Sequence, residues 1–154
     1  MANTIRHRGG DEQYVTDLEV ASATVIEIGD LICEQTKKAV PASSITGSSA
    51  ALRQAAAAAI FSGLSRSSSA NGETDNVDVD TGGLAEMAIT SGTYKSGELV
   101  TFADSGSALL DQQVVVTTDP TLAIGCVWKN YTAATTKVFC RLWSRTHGPA
   151  VFQS

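Results

Sequence analysis

Thr93-Tyr-Lys-Ser-Gly-Glu-Leu-Val-Thr-Phe102 reads as a tight turn feeding a β-strand. Gly97 sits where the backbone needs freedom, and Leu99 and Thr101 alternate with Val100 and Phe102 as the two faces of a strand do. A shorter echo stands earlier in the chain, at Glu27-Ile-Gly-Asp-Leu-Ile32. Both copies read Gly, an acid, Leu and a β-branched residue, although the residues after each copy differ. The pattern predicts a mainly β fold of short strands launched from Gly-acid turns.

Outward from these turns, the expected strands are Thr24–Ile28 continuing after Gly29-Asp30 through Leu31–Gln35, then a short one at Val77–Leu84 with Asp78 and Asp80 facing out, another short apolar run at Ala85–Ile89, Gln113–Thr117, the apolar run Leu122–Trp128, and Thr136–Trp143. Lys37-Lys38 marks a hairpin tip, and Ala39–Ala42 leads out of the sheet. Gly125 interrupts its apolar run as a bulge or a tightly curved barrel strand would. One helix is expected over Ser43–Gly63, with its body at about 44–62. Ser44 or Ser48 would cap it, the alanines supply propensity, Gly63 ends it, and Leu52, Ile60 and Phe61 anchor it. The five-alanine run is smooth enough to approach a sheet closely. Strands at short spacing with frequent Gly turns argue for a small, strongly curved β-barrel or sandwich plus one helix.

The 154 residues fit one domain with its own core. Eleven cations against sixteen acids leave a net charge of −5, which argues against nucleic acid as the main partner. Three cysteines, Cys33, Cys126 and Cys140, without CxxC spacing argue against a disulfide framework or a structural zinc site, and read as reduced thiols buried as small hydrophobes. The N-terminal basic residues precede no apolar run, so no signal peptide is expected. No stretch approaches the length of a membrane span, and synthesis in a reducing cytoplasm is expected.

No catalytic constellation emerges. His7 and His147 lie in terminal segments. Ser107 lacks the second glycine of a nucleophile elbow, and no phosphate-binding glycine loop is present. Asn76, Asp78 and Asp80 have the opening spacing of a calcium loop, but Thr81 stands where that loop needs Gly and Met87 where it needs Glu. The expectation is therefore no enzyme, no metal, no cofactor and no small-molecule substrate.

Residues 1–22 read as an N-terminal arm, with Ile5, Arg6, Arg8, Tyr14, Val15 and Leu18 as its contacts; the alternative is a frayed terminus. Residues 23–145 form the β-rich domain and 146–154 a C-terminal tail. The aromatics gather late, at Trp128, Tyr131, Phe139, Trp143 and Phe152. Trp128 reads as core. In the last strand Val138, Cys140 and Leu142 share one face, and Phe139, Arg141 and Trp143 the other. A thin domain cannot bury both, so Phe139, Arg141, Trp143 and Phe152 are candidate subunit contacts.

An ordered set of phrases carries a resemblance: Gly29-Asp30-Leu31-Ile32, Pro41-Ala42, the Ala-rich helix running into Ala59-Ile-Phe-Ser-Gly-Leu64, Ser91-Gly-Thr-Tyr94, Gly97-Glu-Leu-Val100, Leu110–Val114, Ala123-Ile-Gly-Cys-Val127 and Val138–Ser144. Over roughly residues 23–145 the chain resembles the small capsid-cement, or head-decoration, proteins of tailed bacteriophages. The resemblance implies a β-tulip-like or β-barrel domain with a helix and an extended arm. It implies a homotrimer at local three-fold axes of an expanded head, with the major capsid protein as partner and the virion surface as location. It carries no catalytic residues. The other classes are a tail, fibre or spike domain, and an enzyme using scattered acids.

Overall fold

Asp30 and Glu98 each close a turn in the same way. The Asp30 carboxylate accepts the Glu27 amide at 2.8 Å, and the Glu98 carboxylate accepts the Lys95 amide at 2.7 Å. The glycine before each acid has a left-handed backbone, φ +96° at Gly29 and +91° at Gly97. Each turn then starts a strand. The computed structural model describes residues 14–144, and side chains from residue 18 onward.

The strands are β1 (Tyr14–Val20), β2 (Leu31–Gln35), β3 (Lys38–Pro41), β4 (Phe61–Ser65), β5 (Val77–Asp80), β6 (Gly82–Tyr94), β7 (Leu99–Asp104), β8 (Leu109–Val116), β9 (Gly125–Val127) and β10 (Tyr131–Trp143), with helix α1 at Ala50–Ala59. They close into two five-stranded barrels, in cyclic orders β1-β3-β2-β4-β5 and β6-β8-β7-β9-β10. The second order is the first with every strand advanced by five. The first strand is parallel to the third in each barrel, β1 to β3 and β6 to β8.

The register repeats too. Leu31 and Ile32 pair with Leu64 and Gly63, as Leu99 and Val100 pair with Cys126 and Gly125. The Gly29 amide donates to Ser65 O and the Ser65 amide to Asp30 O, as the Gly97 amide donates to Val127 O and the Val127 amide to Glu98 O. Leu64 pairs with Asp80, and Cys126 with Arg141. The chain therefore builds one small barrel twice.

Each barrel closes over one glycine at its tightest point. A Cβ on Gly63 would meet Asp80 O at 1.7 Å, and one on Gly125 would meet Arg141 O at 2.5 Å. Gly63 is thus a barrel residue with φ +140°, not the end of the helix. The tight curvature expected at Gly125 is present.

Between β2 and β3, Thr36 and Lys37 take φ of 50° and 66°, the backbone of a two-residue hairpin whose twist matches its strands. Ala39–Pro41 is therefore within the sheet. The expected strand at Thr24–Ile28 is only a single bridge, Ile26 to Ser69, and Val25 and Ile28 are exposed. The expected strand Val77–Leu84 divides into β5 and the start of β6, which takes in the run Ala85–Ile89; β7, β8 and β10 extend beyond their expected limits, and β9 is shorter than its run.

The helix is half its expected length. Ser49, in extended conformation, accepts the Leu52 amide and starts it. At the other end Phe61 pairs with Cys33, so β4 takes residues that helix propensity would have kept. Leu52 is 56% exposed; Arg53 and Ala57 are the buried helix residues. The smooth alanine face does permit close approach, since the Cys33 thiol lies 3.7 Å from Ala57 O. Arg53 grips barrel two instead of a large apolar anchor, donating from Nε and Nη2 to the Asp104 carboxylate at 2.7 and 2.9 Å and from Nη1 to Gly47 O.

Barrel one has a small aliphatic interior of Leu18, Val20, Ile26, Ile32, Ala39, Val77 and Val79. The larger core joins the interior of barrel two to α1 and the outer wall of barrel one. Strand β2 shows the division, with Ile32 pointing into barrel one and Leu31 and Cys33 into the shared core. Phe61 and Phe102 meet edge to face across the junction, centroids 5.5 Å apart.

Candidate functional site

In β10 the inner residues Val138, Cys140 and Leu142 are buried, and Phe139, Arg141 and Trp143 point outward, as the alternation requires. Register then decides what joins them. Phe139 pairs with Glu86, Arg141 with Leu84 and Cys126, and Lys137 with Ala88, so these side chains share the outer face. The Trp128 amide donates to Phe139 O, which brings β9's extension alongside.

Trp128 is 49% exposed, Phe139 40% and Leu84 52%, three exposed apolar residues on a closed sheet whose outer face they share with Glu86, Lys137 and Arg141. Trp128 is thus not core. The Lys129 ammonium stands 5.4 Å from the Tyr131 ring and 5.8 Å from the Phe139 ring, within cation–π range. The Tyr131 hydroxyl accepts the Phe139 amide at 2.7 Å and holds the strand irregularity that precedes Phe139. A rigid sheet presents these groups, so little order is lost when a partner covers them.

Leu84, Glu86 and Lys129 were not singled out from the sequence. The alternation through Gly82–Ala88 carries a signal for the first two, since Met87 and Ile89 are the buried partners of exposed Leu84 and Glu86. Nothing local places Lys129 over the rings.

The arm candidates divide differently. Tyr14, Val15 and Leu18 belong to β1, where their backbones pair with Asp80, Val79 and Val77. Leu18 is only 8% exposed and lines barrel one. It is therefore a barrel residue and not an arm contact. The sequence pattern hides this strand because a single buried Leu and Val sit among acids, with a register shift that breaks the alternation. Ile5, Arg6, Arg8 and Phe152 lie outside the described residues.

A second candidate is the cleft between the barrels, about 690 Å³, lined by Glu27, Asp30, Ser43, Asp111 and Gln112. Its acids act as struts. Asp111 accepts from the Ser43 amide and hydroxyl at 2.7 and 2.9 Å, and Asp30 accepts from Gln112 Nε2 at 2.8 Å. Burial raises the Asp111 carboxyl above the usual range, helped by the nearby Asp30 charge and opposed by the Ser43 hydrogen bonds. Among the described residues no group of three or more His, Cys, Asp or Glu side chains is placed to hold a metal ion. In the near-calcium sequence, Asp78 points outward and Asp80 pairs with Arg66 at 3.6 Å.

Burial holds the thiols in their protonated form. Burial pushes Cys33 and Cys140 up to about 12, with Asp111 adding to the first and Cys126 to the second. All three cysteines are free. The arrangement thus supplies an exposed face with apolar and charged residues and an internal cross-brace.

No protein family, curated protein or solved structure matches the chain in comparisons of sequence and fold.

Proposed function

We propose that this protein is a capsid decoration protein that binds the outer surface of an expanded phage head and stabilises it against internal DNA pressure. The observation that carries the reading is the exposure of Trp128, Phe139 and Leu84 on a closed sheet, which suits protein–protein docking. In this reading Phe139, Arg141 and Trp143 form subunit contacts in a homotrimer at local three-fold axes. Residues 1–13 engage the major capsid protein. Three weak attachments on one assembly act at high effective concentration, so their affinities compound. The reading assigns no catalysis, cofactor, nucleic acid or membrane. The resemblance in the sequence points the same way.

The test is co-sedimentation of the purified chain with phage heads before and after expansion. Saturable binding to expanded heads, lost on deletion of residues 1–13 with β1 retained, is the expected result. Absence of binding to both head forms overturns the reading. A tail, fibre or spike domain is then the next reading, favoured by the presence of two like barrels in one chain. Electron microscopy of long assemblies tests it.

A further inference from the structure

Because the barrels share topology and register, their surfaces can be compared position by position. Asp78 and Asp80 of β5 occupy the places that Phe139 and Arg141 occupy in β10. Both strands turn their alternate residues inward, Val77 and Val79 in one, Val138 and Cys140 in the other. The interiors are alike and the outer positions differ, two acids in β5 against an aromatic ring and a cation in β10.

The contrast extends along the chain. From Glu73 to Asp80 there are four acids and no cation. From Pro120 to Ser144 there are three cations, Lys129, Lys137 and Arg141, and no acid. Glu73, Asp75 and Asp78 are exposed on barrel one, and Lys129 and Lys137 on barrel two. Among the described residues, no salt bridge joins Lys129 or Lys137 to a carboxylate. The loop beside the acidic segment, tied to it by the Gly72 amide and Ser22 O, exposes Val25 and Ile28. Acids thus predominate beside the exposed apolar residues of barrel one, where Arg66 pairs with Asp80, and cations beside those of barrel two, where Glu86 registers with Phe139.

We propose that the β10 face of one copy docks on the β5 face of a second copy, with Lys129 and Lys137 against Asp75 and Asp78 and the exposed aromatics against barrel one. The contact is head to tail. Such contacts close into a ring when the rotation permits and otherwise continue as a filament. The inference rests on the reading above only in taking the β10 face as a subunit contact. It adds the surface that this contact meets.

The test is sedimentation velocity of the full chain up to about 100 µM, the range in which a weak specific contact populates. Self-association is expected, weakened when salt rises and the screening length falls below about 10 Å. The paired reversal Lys129→Glu/Lys137→Glu should weaken it about tenfold or more, as should Asp75→Lys/Asp78→Lys. An equimolar mixture of the two variants should associate again, because the acidified β10 face of one then meets the β5 face made basic in the other, and the two unreversed faces meet each other. Phe139→Ser should weaken association by about tenfold or more. All these positions are exposed, and circular dichroism verifies folding of each variant.

A wild-type chain that stays monomeric overturns the proposal. So does association that ignores salt and both reversals. If Phe139→Ser abolishes association but the mixture does not recover, the β10 face remains a subunit contact and the β5 partner is wrong. Head binding by a monomer leaves decoration standing and removes this inference. An assembling chain that ignores heads does the reverse.

Discussion

Barrel one and barrel two share one architecture and differ in contents. Both use a Gly-acid turn, a parallel closure and one glycine beneath a neighbouring carbonyl. They differ in the connection before the fourth strand, where barrel one inserts α1 and barrel two has only the 3-10 turn Pro120–Leu122. They differ again on the outer wall. Barrel one gives part of its wall to the shared core, while barrel two leaves its β10 face in solvent. The shared features are those that closure demands. The features that differ are free to serve packing or docking.

The two closing glycines give the largest expected effect. Gly63→Ala puts a Cβ 1.7 Å from Asp80 O on a left-handed backbone, and should cost more than about 4 kcal/mol or prevent folding. Gly125→Ala meets Arg141 O at 2.5 Å with Leu142 beside it, and should cost less. Urea unfolding of both variants checks the order. A milder Gly63→Ala would mean that β4 and β5 can separate while barrel one stays folded.

The two turn acids come next. Asp30→Ala and Glu98→Ala each remove a carboxylate that accepts a backbone amide in a partly or fully exposed turn, a loss of about 0.5–1.5 kcal/mol. Asp30 should cost more, because it also holds Gln112 across the cleft. Equal losses in thermal melts would show that the inter-barrel strut contributes little.

The smallest effects are in pH dependence, where two carboxyls have opposite signs. Arg53 hydrogen bonds hold Asp104 below the usual carboxylate range, with the Gly106 amide and the Arg53 charge assisting against desolvation. Its contribution is therefore complete above the unfolded value near 4 and is lost as pH falls through the lower folded value. Asp111 is raised, so its folded form binds the proton more tightly. Stability from this group increases as pH falls from just above its raised value toward about 4. Asp104→Asn should lower stability at neutral pH and flatten the acid loss. Asp111→Asn should be nearly neutral there, because an amide can keep the Ser43 amide bond and donate to its hydroxyl. Chemical denaturation followed from neutral pH down through the acid range checks both signs.

The echo between Gly29-Asp30-Leu31-Ile32 and Gly97-Glu98-Leu99-Val100 was legible, and it marks corresponding turns of the two barrels. The full repeat was not, because equivalent strands share almost no letters. Asp78 and Phe139 occupy one structural position, which needs only an outward side chain. The late aromatic face was legible in the alternation of β10. Its members Trp128 and Leu84 depend on cross-strand register, which no local spacing reveals.

By itself the sequence determined the mainly β class, the Gly-acid turns, the two faces of β10 and the presence of one helix, because these depend on backbone freedom, period and propensity within a few residues. Only the tertiary structure decided that there are two barrels, that Leu18 belongs to one of them, that Phe61 leaves the helix for a strand, and that Lys129, Trp128, Phe139 and Leu84 share one surface. Those outcomes depend on pairing between segments distant in the chain, where the energy of closing a sheet outweighs what each segment prefers alone.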